Sequence, residues 1–325
     1  MLIIFDKNLR KECLMRMETR KRFTRFPYKR IVLFLLLFVF TFTGCSLKRT
    51  NINQGRATTE TRIEESFRTL LQQKEEGKLN ILFAGTKDDA DCILLYTKES
   101  TIMIDTGEEQ DKEHISQLIQ RANRKTIDLL IITHPDKDHI GGLSSILEEV
   151  SVKEVVIPNY EVINKKYKRL LESLRGYKNQ ITVLKEDEER NFGEINISLY
   201  APQKSYYEKD NNYSIATLVQ FGNTKMFFAG DAKKERTKEL LEENLPTVDL
   251  YKIAYHGREY KGFEQLFETL QPKDTVVTAK EAEKEVEEVL EASGTNIYDT
   301  RDQDLLFESD GNSCVIKGSS NILEN

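Results

Sequence analysis

Hydrophobic positions fall along this chain in short runs that end at polar or acidic residues. Thr101-Ile102-Met103-Ile104 leads into Asp105-Thr106-Gly107, and Lys225-Met226-Phe227-Phe228 into Ala229-Gly230-Asp231. Ile127-Asp128-Leu129-Leu130-Ile131-Ile132 leads into Thr133-His134-Pro135-Asp136-Lys137-Asp138-His139, and Tyr251-Lys252-Ile253-Ala254 into Tyr255-His256-Gly257. Such runs predict buried strands that deliver polar side chains to one edge of a sheet. Between them the spacing turns helical. Glu113 to Ala122 reads as an amphipathic helix with His114 on its solvent face, and Leu170, Leu171 and Leu174 mark another. Upstream, Thr59-Glu60-Thr61-Arg62 introduces Ile63, Phe67, Leu70 and Leu71, spaced as one helical face. Strands alternating with helices over residues 78–320 predict an α/β fold, and about 240 residues suit one domain. Residues 46–77 read as a polar tether and a short helix that spaces this domain from the N-terminus, and residues 321–325 as a tail.

The N-terminus has a different pattern. Residues 16–30 hold seven Lys or Arg, Ile31 to Phe42 is apolar except at Thr41, and Thr43-Gly44-Cys45-Ser46 follows. A basic start, a short apolar stretch and small residues before a cysteine predict a signal peptide over residues 1–45. Thr43-Gly44-Cys45 resembles the lipobox of bacterial lipoproteins, with Phe42 where Leu is usual. That resemblance implies lipidation of Cys45 and cleavage before it; an uncleaved signal anchor is the alternative. Met17 makes a more typical start than Met1. Either way, the bulk of the protein is expected outside the cytoplasmic membrane; in the lipoprotein reading, the two or more acyl chains on Cys45 anchor it stably. Of four cysteines, only Cys92 and Cys314 lie beyond the leader. Both stand in strand-like contexts and read as buried thiols, and the sequence leaves a disulfide between them open.

Removing the leader changes the charge. It carries ten Lys or Arg against three Asp or Glu, so a chain of net charge −6 leaves a remainder of −13. A tight nucleic-acid binder usually presents a basic footprint, which this remainder lacks. One basic stretch stands out, Lys165, Lys166, Lys168, Arg169, Arg175 and Lys178, readable as a solvated helix face or as a surface for a polyanion.

The chemistry concentrates in few residues. Only four histidines occur, and His134 and His139 stand five apart with Asp136 and Asp138 between them. Imidazole and carboxylate are the side chains that hold zinc, manganese or iron in hydrolytic sites. On a turn after a buried strand, this set can face two adjacent ions. Asp231 and His256 each end a strand in the same way, and each reads either as a metal ligand or as a turn or cap residue. Asp105 reads as a turn residue or as one that orients a ligand. Asn212 and Ser214 read as strand caps or as residues touching metal or substrate.

These motifs, taken in order, resemble the metallo-β-lactamase fold superfamily, whose metal-binding motif is His-x-His-x-Asp-His. The variant here, His-x-Asp-x-Asp-His, looks like the C-terminal hydrolase domain of ComEC-type competence proteins. The early Asp-x-Gly, the Gly-Asp at 230–231 and the strand ending in His256 match the later landmarks, and Asp310-Gly311 resembles the closing Ser-Asp-Gly. The resemblance implies a four-layer αβ/βα sandwich with His134, Asp136, Asp138, His139, Asp231 and His256 as ligands of two divalent ions, zinc or manganese. It also implies Asp138 as the residue that orients the nucleophilic water, hence catalytic, and Asp231 as a bridge between ions. Asp136 in place of imidazole hardens the site toward manganese. Departures accompany the match. No histidine lies between His139 and His256, where Asn211-Asn212-Tyr213-Ser214 stands instead, so one metal position is expected to be weak. The doubled His-His-Gly-Ser is reduced to Tyr255-His256-Gly257-Arg258, and the charged run Ala279 to Glu288 replaces a downstream Asn-x-Tyr-Gly-His-Pro element. The expectation is a surface-anchored metal-dependent hydrolase of phosphodiesters such as extracellular DNA, with no obligate protein partner indicated. The alternatives are a non-catalytic or single-metal binding lipoprotein accessory to DNA uptake or to a surface complex, and a lactone or β-lactam hydrolase.

Overall fold

In a computed structural model of the chain, residues 64–72, 76–160, 164–279 and 281–321 are described. Contacts separate residues 1–50 from residues 51–325, and every described residue lies in the second unit. The leader expected over 1–45, with Cys45, and the tether after it fall outside the described residues. Among the described residues, no helix is long and apolar enough to cross a membrane.

The hydrophobic runs form strands. They are β1 (Leu79–Phe83), β2 (Ile93–Tyr96), β3 (Thr101–Ile104), β4 (Thr126–Ile127), β5 (Leu129–Ile131), β6 (Ser151–Val152), β7 (Val155–Pro158) and β8 (Ile181–Leu184), then β9 (Glu188–Phe192), β10 (Ile195–Tyr200), β11 (Ala216–Phe221) and β12 (Thr224–Phe228). After these come β13 (Leu250–Lys252), β14 (Asp274–Val277), β15 (Asn296–Asp299), β16 (Gln303–Ser309) and β17 (Cys314–Asn321). One sheet has eight strands in the order β17-β16-β1-β2-β3-β5-β7-β8, and a second has seven in the order β15-β14-β13-β12-β11-β10-β9; β4 and β6 pair separately. Each sheet contains an antiparallel part and a parallel part. The parallel pairs run β3-β5-β7-β8 in the first and β12-β13-β14-β15 in the second. The carboxyl ends of parallel strands, and the loops leaving them, gather at one edge, where α/β sheets place their sites.

Strand alternation sorts the apolar side chains into layers. Ile81, Phe83, Ile93, Leu95, Ile102, Ile104, Leu129 and Ile131 face the second sheet and pack with Ile197, Leu199, Val219, Met226 and Phe228. Their neighbours Leu82, Leu94, Met103, Leu130 and Ile132 face the other way. They meet helices α1 (residues 64–72), α2 (Lys112–Arg121), α3 (Lys137–Ile140), α4 (Leu143–Glu149) and α5 (Lys165–Ser173). Beyond the second sheet, α6 (Lys234–Leu240), α7 (Phe263–Leu270) and α8 (Lys284–Ser293) cover Leu218, Phe227 and Tyr251. The result is the expected helix–sheet–sheet–helix sandwich.

Two details differ from the sequence reading, at α1 and His114, and two others, at α5 and the cysteines, sharpen it. α1 is docked rather than free: Phe67 and Leu71 are buried in the outer core, and the Leu71 carbonyl accepts the Tyr96 hydroxyl at 3.1 Å. The domain therefore begins before residue 78. His114 is turned in to Asp304, 2.7 Å away, because α2 lies against the start of β16. On α5, Leu170 and Leu174 are buried while Leu171 is 43% exposed, since 170 and 174 lie one turn apart and 171 is off that face. Cys92 and Cys314 are free, buried thiols in different cores.

Candidate metal centre

Three sharp turns carry the His and Asp residues to the sheet edge. After β3, Asp105 adopts a left-handed φ of 56° and accepts hydrogen bonds from the Thr133 backbone N–H (2.8 Å) and hydroxyl (2.7 Å). Its second oxygen lies 2.7 Å from His139 Nδ1, which aims Nε2 of that ring into the site. The one-turn α3 sets Asp138 and His139 side by side, and the β3 loop lies against its end. A Cβ on Gly142 would stand 2.3 Å from the Thr106 carbonyl oxygen, so only glycine allows this approach. After β12, Gly230 (φ 54°) turns the chain, and the Asp231 N–H donates to Ser214 Oγ at 3.0 Å. After β13, Tyr255 and His256 are left-handed in succession (φ 52° and 55°). Each such residue costs roughly 1–3 kcal/mol, strain that concentrates at functional sites. His256 Nδ1 lies 3.0 Å from Thr278 Oγ1, which fixes the other ring nitrogen toward the same point.

One ligand atom each from Asp138, His139, Asp231 and His256 lies within 4.8 Å of the others. Asp231 Oδ1 is 3.4 Å from His139 Nε2 and 3.2 Å from His256 Nε2, and Asp138 Oδ2 is 3.3 Å from His256 Nε2. The two Nε2 atoms and Asp231 Oδ1 are buried and make no hydrogen bond. Buried polar atoms are normally satisfied, so three orphans aimed at one point fit a divalent cation with imidazole and carboxylate ligands. The electrostatics agree. Burial opposes charge on His139 and His256, yet Asp231, with Asp105 for one and Asp91 for the other, outweighs it and raises both imidazoles well above their ordinary range. Burial likewise opposes Asp138, yet His256 and His139 hold its carboxyl down to about 2. The cluster demands positive charge.

The other half is looser. Asp231 Oδ2 faces His134 Nε2 at 3.9 Å, and Asp136 Oδ2 lies 3.8 Å from the same nitrogen. His134 Nε2 is also buried without a hydrogen bond, and its ring is held below its ordinary range by burial and then by His139. Among the described residues, His134 and Asp136 belong to no compact group of three or more His, Cys, Asp or Glu ligand atoms. Asp136 instead accepts from Lys166 Nζ at 2.7 Å, and Lys166 also pairs with Asp210 at 3.0 Å.

Asn212 does not face the cluster. It is buried, and its carbonyl oxygen accepts from the backbone N–H groups of Lys233 and Arg236 at the start of α6. Its neighbour Asn211 is the one that reaches Asp231, at 3.1 Å. Ser214 seats Asp231 and lies 3.5 Å from His134 Nδ1. Sequence reasoning missed Asp91 and Lys252, a fully buried ion pair behind the cluster. Lys252 Nζ donates to Asp91 and, at 3.2 Å, to the Gly230 carbonyl, while Asp91 Oδ1 lies 3.3 Å from His256 Nδ1. The available signal was a lysine inside an apolar strand, Leu250 to Ile253, where an unpaired charge would be too costly.

Comparison with known proteins gives a consistent result. A family profile, the Metallo-beta-lactamase superfamily, matches residues 85–277. The ComE operon protein 3 of Bacillus subtilis is 25% identical over 222 residues, 63% of this chain and 28% of that protein. Recombination protein 2 of Haemophilus influenzae is 24% identical over 191 residues, 57% of this chain and 22% of that protein. The chain thus spans less than a third of these relatives' length. Among solved structures, the metallo-beta-lactamase fold protein YhfI from Bacillus subtilis aligns at 9% identity and a TM-score of 0.49, covering 71% of this chain and 99% of that one.

Proposed function

The chain belongs to the metallo-beta-lactamase superfamily, and we propose that it is a metal-dependent hydrolase of phosphodiesters, extracellular DNA foremost. The observation that carries this is the convergence of Asp138, His139, Asp231 and His256 with three buried atoms that no protein group satisfies. In this reading those four side chains hold a divalent ion, zinc or manganese, and His134 and Asp136 flank it. An ion there would supply Lewis-acid stabilisation of charge developing on a phosphoryl oxygen.

The protein's own groups then have distinct tasks. Asp105 and Thr278 hold His139 and His256 by Nδ1 and keep Nε2 facing inward, the usual arrangement behind a ligating imidazole. Asp138 is the most exposed member of the cluster, at 21%. It is ionised at any working pH and therefore a weak base; its task is to orient the attacking water through a hydrogen bond. The preference for phosphodiesters over lactones or β-lactams rests on the resemblance of the His134-x-Asp136-x-Asp138-His139 motif to the ComEC-type hydrolase domain. Lipid anchoring through Cys45 completes the proposal: wild type should incorporate labelled palmitate and Cys45→Ala should not, whereas equal labelling would remove the anchor.

The test is hydrolysis of bis-p-nitrophenyl phosphate with manganese or zinc supplied. Activity is expected, and Asp138→Asn should lose roughly 100-fold or more in turnover while keeping most of its metal. A protein that binds metal and opens a lactone or β-lactam but leaves the diester intact would overturn the substrate class.

A further inference from the structure

We propose that the centre holds one ion because the ammonium of Lys166 occupies Asp136, a carboxylate that a second ion would need. This rests on the metal-centre reading above. It starts from the unequal halves of the cluster. Asp138, His139 and His256 gather with Asp231 Oδ1, whereas Asp231 Oδ2 lies 3.9 Å from His134 Nε2 and accepts from Asn211 Nδ2 at 3.1 Å, and Asp136 Oδ2 lies 3.8 Å from that same imidazole nitrogen. Ser214 adjoins His134 as a hydroxyl that already accepts the Asp231 N–H, and Asn212 is committed to the start of α6. His134, Asp136 and the shared Asp231 carboxylate match the three protein ligands of an open site, so a second ion turns on whether Asp136 is free to take it.

A cation of the protein's own is already present. Lys166 Nζ lies 2.7 Å from Asp136 Oδ1 and 3.0 Å from Asp210 Oδ2. A single exposed ion pair would weigh little, but here one ammonium serves two carboxylates that are mostly buried, with side chains 18% and 24% exposed. The support is built in. Asn164 caps α5 by accepting from the Tyr167 N–H at 3.0 Å, which sets Lys166 on its first turn. Tyr160 bonds to Asp210 and to Asn164, stacks on Tyr167 with ring centroids 5.1 Å apart, and packs against Tyr213 at 4.2 Å. The start of α5 and the loop carrying Asp210 are thereby fixed to each other. Lys166 remains 45% exposed, so its charge also faces whatever anion enters.

Metal counting tests this without reference to catalysis. The full chain is stripped with chelator, dialysed against excess manganese and analysed by elemental mass spectrometry. Wild type and Lys166→Arg should hold one ion per chain, and Lys166→Met should rise toward two. Two ions in wild type, or one still in Lys166→Met, would overturn the inference and leave the hydrolytic centre standing. No ion in any variant would overturn the centre itself, and this inference with it. A circular-dichroism melt of Lys166→Met at the wild-type midpoint ensures that the count reports the site and not a loss of fold.

Discussion

Protons and a divalent cation compete for the same two nitrogens, Nε2 of His139 and of His256. Without metal, the surrounding carboxylates raise both imidazoles well above 6.5, against the pull of burial. That contribution to stability is complete below about 6.5 and is lost as pH rises through the raised values. Asp138 and Asp231 act at the other end: both are held below 3.8, so their contribution is complete above that value and is lost as pH falls, toward about 2 for Asp138. The chelated protein should therefore have a melting temperature that falls on the alkaline side of about pH 6.5, and also declines as pH drops below about 6.5, because His134 is held low. Metal binding at neutral pH should release roughly one proton or more per ion, readable by calorimetry in buffers of differing ionisation enthalpy. A midpoint that climbs into the alkaline range would contradict the charge assignment. At this scale the sequence was legible where identity alone limits the role. His134, Asp138, His139, Asp231 and His256 are too few and too patterned to be incidental. Asp91, Asp210 and Lys166 were not legible, because acidic and basic residues in loops and on helix surfaces look alike until the fold decides what they face.

Elements show why the strands were readable and their ends were not. Strict two-sided burial gives β2, β3 and β5 almost wholly apolar sequence, and that signal survives without structure. The turns that follow rest on left-handed backbone at Asp105, Tyr255 and His256, which no propensity reveals. α1 was visible as a helical face, but not its docking onto the outer core. In β13, Lys252 breaks the apolar pattern and is fully buried, with Asp91 as its partner. Removing one member of a buried pair leaves the other uncompensated, so Lys252→Met should cost about 3–5 kcal/mol in chelated protein by urea unfolding. A loss below about 1 kcal/mol would mean that the His139–His256 pair already neutralises Asp91.

Among the described residues, two sheets with apolar layers between and outside them hold the His–Asp cluster at one edge, and the parallel strand ends aim it outward. The layer order follows from alternation of strands and helices, and the family match covers the stretch that carries those strands. The most direct test of the account is crystallographic: anomalous difference maps from manganese-soaked protein at the metal edge. The account predicts one strong peak within coordination distance, about 2.0–2.2 Å, of His139 Nε2, His256 Nε2 and carboxylate oxygens of Asp138 and Asp231. No peak there, or a peak held by other residues, would contradict it.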